Sequence, residues 1–111
     1  MAQLTAVSVT SAATTVTAAA VSASDTIAQA DVGTNGALLI VINGGGGSIT
    51  VTLSDPGKTA LGNVGTTTPQ TIPAGADRWF RVSPGHVDPS TGFATVTYSG
   101  TTSVTYKLVR A

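Results

Sequence analysis

The chain of 111 residues has no cysteine and no glutamate, and it holds only five aromatic residues, Trp79, Phe80, Phe93, Tyr98 and Tyr106. Without cysteine, disulfides and thiolate metal sites are excluded. With so few aromatics, the hydrophobic fraction of 41% is mostly Ala and Val, so the core is thin in large side chains. A small domain of that kind gains little over its chain entropy unless it assembles or docks on a larger body. Charge is scarce as well, with 5 basic and 5 acidic residues and formal net charge zero. Nucleic acid would require a concentrated excess of Lys and Arg, and a membrane surface a basic amphipathic stretch; neither is here. No apolar run approaches the ~20 residues of a membrane helix. Residues 1–24 lack a basic n-region and are interrupted by Thr and Ser, so they do not read as a signal peptide. The expectation is a soluble protein that stays where it is made.

What the chain does have is Thr and Val in abundance, punctuated by 13 glycines and 5 prolines. That composition favours strands over helices. "ALLIVIN" (37–43) is a continuous apolar run and predicts a strand buried on both faces. "SITVTLS" (48–54) alternates, with Ile49, Val51 and Leu53 on one side and Thr50 and Thr52 on the other. The stretch between them, Asn43 with Gly44, Gly45, Gly46 and Gly47, predicts a hairpin. Four glycines exceed what a tight turn needs, which points to a mobile tip or to a second backbone passing close. "DRWFRVS" (77–83) alternates so that Phe80 and Val82 oppose Trp79 and Arg81. "FATVTYS" (93–99) and "TSVTYKLVR" (102–110) predict a second hairpin about Gly100 and Thr101. "PGHVDPSTG" (84–92) predicts a loop, and "SDTIAQADVG" (24–33) a short helix capped by Ser24 or Asp25 and stopped by Gly33. Residues 1–24, rich in Ala and Thr, predict edge strands ("TAVSVT", "TTVTA") or an extended arm. The fold class expected is all-β: an antiparallel sandwich or barrel, Ig-like or jelly-roll-like, over residues 25–111 with the arm before it.

Three stretches raise the question of chemistry. "DPGKT" (55–59) has the Gly-Lys-Thr tail of a phosphate-binding loop, but the first-glycine position is occupied by Thr52 inside a strand. No helical period follows, so Asp55, Pro56 and Gly57 read as a β-turn with Pro second. His86 and Asp88 could orient an imidazole, yet no nucleophile motif accompanies them, and a single His with scattered carboxylates is no ligand set. Asp31, Asn35 and Gly36 lack the closing Glu of a calcium loop. No catalytic residue, metal site or cofactor is expected.

Surface recognition is better supported. Trp79 flanked by Arg78 and Arg81 forms a candidate contact strand, because Trp and Arg are enriched at binding hot spots. The bland alternative is that Trp79 fills the thin core. Asn43 and the tip glycines are further candidates. So are Leu4, Val7 and Val9 of the arm, which could add a strand to a neighbour's sheet edge. Lys107 and Arg110 on the last run read as edge charges that discourage unwanted pairing.

"SASDTIAQADVG", "GALLIVINGG", "TVTLSDPG", "VDPSTG", "TVTYS" and "SVTYKL", in this order and spacing, resemble small virion proteins of tailed bacteriophages, especially those of actinobacteria, encoded among the head genes. The resemblance covers about residues 22–110. It implies a β-sandwich capsid decoration protein, made in the host cytoplasm and seated on the outer capsid surface. The implied partners are the major capsid protein lattice and copies of itself, a trimer being favoured, with no nucleic acid or membrane. A head–tail connector or tail part, and an Ig-like module binding cell-surface glycans through Trp79, Tyr98 and Tyr106, are the alternatives.

Overall fold

The computed structural model describes residues 2–9, 11–54, 61 and 69–110. Its strands are β1 (Ala2–Leu4), β2 (Val7–Ser8), β3 (Ala19–Ala20), β4 (Ser24–Ala28), β5 (Ala37–Asn43), β6 (Ile49–Leu53), β7 (Gln70–Ile72), β8 (Asp77–Val82), β9 (Phe93–Tyr98) and β10 (Val104–Arg110). One helical turn, α1 (Gln29–Val32), follows β4, and a 3₁₀ turn spans Pro84–His86. One sheet has the order β1-β4-β9-β6-β7 and the other β2-β10-β5-β8, with β3 also on β10. The two sheets pack face to face as an all-β sandwich. Ile27, Ala94, Val96, Val51 and Ile72 from the first meet Leu39, Val41, Val82, Val104 and Leu108 from the second, all buried. Period-two alternation makes this core possible, since every second side chain of each strand points inward.

Both predicted hairpins are instead crossings between sheets. β5 and β6 lie in different sheets, as do β9 and β10. The two five-residue connections interlock at one end of the sandwich, where the Gly44 N–H donates to the Ser103 carbonyl at 2.9 Å. A Cβ on Gly44 would sit 2.9 Å from that oxygen, so glycine permits the close passage of the second backbone. Asn43, buried, holds the crossing together. Its amide donates to the carbonyls of Gly47 (2.8 Å) and Ile72 (3.1 Å), and its Oδ1 accepts from the Gly45 N–H (3.1 Å).

The region 24–33 is a strand followed by a single turn rather than a capped helix. Asp25 faces inward beside Val96 and accepts from the Ser22 N–H at 3.2 Å, so it caps nothing. Gly33, at φ 67°, ends the turn as predicted. The sheets are mixed rather than purely antiparallel, because β1 pairs in parallel with β4 and β2 with β10. Residues 2–8 thus cross from the edge of one sheet to the edge of the other, and Leu4 is 1% exposed. Of "TTVTA", no residue lies in a strand; β3 follows it. The predicted turn at 55–59, with Lys58, lies outside the described residues.

Candidate docking face

The outward face of the β2-β10-β5-β8 sheet gathers apolar side chains, of which Leu38 and Trp79 are left exposed among the described residues. Register places Arg81, Leu38, Val109 and Val7 in one row across four strands. The next row is Trp79, Ile40 and Lys107, and the third is Asp77, Ile42, Thr105 and Ala20. Trp79 is 64% exposed and Leu38 42%, while Ile40 between Trp79 and Lys107 is only 7% exposed. The run 37–43 is therefore not buried on both faces. Leu39 and Val41 are in the core, but Leu38 faces out and Ile42 is half-buried. Val9, 50% exposed, joins Leu38 and Val109 around a groove of about 420 Å³ bordered by Arg81.

The backbone fixes the rim of this groove. Gly36 has φ 84°, and a Cβ there would stand 2.9 Å from the Val82 carbonyl, so only glycine allows the entry into β5. The Arg81 guanidinium donates to the Asn35 carbonyl at 2.9 Å, which lays its stem along the groove edge. The indole N–H of Trp79 donates to Asp77 Oδ2 at 3.4 Å, and Arg78 donates to the Asp77 carbonyl at 2.7 Å. A large exposed aromatic with a flanking Arg on an aliphatic floor is the composition of a hot spot.

Trp79, Arg81, Val7 and Val9 come together on this face, and the bland reading of Trp79 as core filler is wrong. Arg78 is exposed but sits at an inward-facing position of β8, opposite Val41. Leu4 is core, Asn43 is a buried clamp, and Gly44 and Gly45 are close-passage positions, whereas Gly46 and Gly47 border open space. Leu38, Ile40 and Val109 were not singled out from the sequence, although four consecutive aliphatics, Leu38 to Val41, imply that one of two opposite faces must be covered. Lys107 and Arg110 are not edge charges, because β10 is flanked by β2, β3 and β5. Arg110 ties the structure, donating to the Ala30 carbonyl (2.7 Å) and Ser8 Oγ (2.9 Å). The aromatic platform of a glycan module is not formed: Tyr98 is 8% exposed and Tyr106 packs against the core, leaving Trp79 alone.

The loop residues that invited a chemical reading are local caps. His86 Nδ1 accepts from the Ser83 N–H at 3.1 Å, which places the ring proton on Nε2. Asp88 accepts from the Ser90 N–H (2.9 Å) and hydroxyl (2.8 Å). These bonds, the backbone one first, hold its carboxyl below the usual carboxylate range. Among the described residues no group of three potential ligands could hold a metal ion, and no helix is long and apolar enough to cross a membrane. No family model, curated protein or solved structure matches the chain.

Proposed function

We propose that the protein is a structural virion component that binds the outer surface of a tailed-phage capsid and decorates or cements it. The observation that carries this reading is the cluster of exposed apolar side chains Leu38, Trp79 and Val9 on one sheet face, together with the motif resemblance of residues 22–110. A protein that bound nothing would gain by placing Thr at these outward positions. An open sheet face with an aliphatic floor, one Trp and flanking cations Arg81 and Lys107 suits a broad protein surface rather than a small molecule. Repetition over a lattice then converts a modest single-site affinity into stable coating.

The test is co-sedimentation with undecorated capsids of the phage whose genome carries the protein, with gel quantification of bound copies. Saturation at a copy number set by the lattice, abolished by Leu38→Asp, supports decoration. Saturation at a handful of copies indicates a neck or tail position, and absence of binding by the unaltered protein overturns the reading.

A further inference from the structure

Strand β8 closes one edge of its sheet, and its sequence has a symmetry that an edge does not require. Asn43 donates to the Ala76 carbonyl at 2.9 Å, one step beyond the β5–β8 ladder and in the same register. Antiparallel ladders alternate, so the amides of Arg78, Phe80 and Val82 point at β5, and those of Asp77, Trp79 and Arg81 point at the open edge. The Arg78 guanidinium on the Asp77 carbonyl agrees with this, since it reaches that oxygen from outside the sheet. Among the described residues, no main-chain group pairs with this edge. The same three residues carry the outward-facing side chains. Asp77 lies two positions before Trp79 and Arg81 two positions after it.

We propose that two copies pair edge to edge through β8, antiparallel about a twofold axis at Trp79. In that register Asp77 of each copy stands beside Arg81 of the other, and the two Trp79 side chains lie side by side. The edge-facing amides form a ladder of about six main-chain hydrogen bonds. Arg78 releases the Asp77 carbonyl to the Arg81 N–H of the second copy and comes to lie opposite its Phe80. The interface is isologous, as a twofold requires. Edge strands ordinarily discourage pairing with charges that repel their own copy. Here the charges are opposite in sign at symmetric positions, so self-pairing satisfies them. The product is a continuous sheet whose apolar outer face is doubled, with the paired tryptophans at its centre. It is a twofold assembly, in contrast to the trimer that the phage resemblance implies.

The pairing belongs to the isolated protein and is tested apart from capsid binding. Sedimentation velocity over a concentration series, followed in parallel by emission of the single Trp, gives the dissociation constant. Asp77→Arg and Arg81→Asp each place like charges together twice, and each is expected to raise that constant at least about tenfold. The double variant Asp77→Arg/Arg81→Asp restores both pairs and should return to near the unaltered value. Circular dichroism verifies that each variant folds. A protein that stays monomeric throughout the series, a dimer indifferent to the single changes, or a double variant no better than the singles overturns the proposal.

Discussion

The two sheets of the sandwich solve the same problem with opposite choices. In the sheet β1-β4-β9-β6-β7 the outward rows are Ala28 and Phe93, then Gln3, Thr26 and Thr95, then Ser24, Thr97 and Thr52, then Thr50 and Thr71, so that Phe93, 36% exposed, is an apolar exception on a face otherwise built mainly on hydroxyls. Its inward side nevertheless includes buried Asp25 and Tyr98. In the other sheet the outward rows carry Leu38, Ile40, Ile42, Val109 and Val7 beside Trp79, Arg81 and Lys107, and the inward side joins Leu39, Val41, Val82, Val104 and Leu108 with buried Asn43 and with Arg78 and Arg110. Threonine keeps the β-branched shape that suits a pleated surface while giving water a hydroxyl. Apart from Phe93, the first face is thus finished as a surface. The second carries side chains that each forgo about 25 cal/mol per Å² of apolar area left in water, a cost that an isolated domain could avoid by the substitutions its other sheet already uses.

Strand β5 supplies the largest test, because its two sides face the two environments. Leu39→Ala, in the core at 0% exposure, is expected to lower stability by about 2–5 kcal/mol in urea unfolding. Leu38→Thr, one residue away and 42% exposed, should change stability by less than about 1 kcal/mol while weakening the capsid binding proposed above. If Leu38→Thr proves as damaging to the fold as Leu39→Ala, the outer face is a second core and the contrast between the sheets is lost.

The next test concerns the edges at which both sheets receive the N-terminal segment. Leu4 is buried in the core, and residues 2–8 extend one edge of each sheet in parallel. Leu4→Ala should therefore destabilise by about 2–4 kcal/mol, with a lowered urea midpoint and little change of slope. A dispensable arm would leave the midpoint where it is.

These examples also mark what could be read in the chain and what could not. Strand positions 49–53, 77–82, 93–98 and 104–110 follow from alternation, and 37–43 from a continuous apolar run, each bounded by Gly, Pro or Asn punctuation; the opposition of Trp79 and Arg81 to Phe80 and Val82 follows from alternation as well. Pairing partners did not follow. Two runs joined by five residues with glycine have the same local pattern whether they turn back within a sheet or cross to another. The choice here rests on contacts remote in sequence, Gly44 against Ser103 and Asn43 against Ile72. Asp25 misled for a related reason, since a carboxylate ahead of a short apolar stretch looks like a cap until the half-buried Ser22 N–H it serves is known. The candidate docking face was half legible, through Trp79 and Arg81. Its aliphatic floor was not, because an apolar run says nothing of which side remains open.

The smallest effect sharpens the contrast between the two interiors. Tyr98 sits inside the threonine-faced sheet, and burial first, then the neighbouring Asp25 carboxylate, pushes its phenol well above the ordinary value of 10.0. The folded state therefore keeps the proton at pH values where the unfolded chain has released it. This contribution to stability is complete below pH 10 and is lost as pH rises beyond that, at up to about 1.4 kcal/mol per pH unit. Tyr98→Phe removes the group, so its stability at neutral pH should differ from that of the unaltered protein by less than about 1 kcal/mol, whereas above pH 10 it should fall less steeply. Urea midpoints of the two proteins from pH 8 to 11 check this, and parallel curves across that range would mean that the tyrosine ionises in the folded sandwich as freely as it does in water.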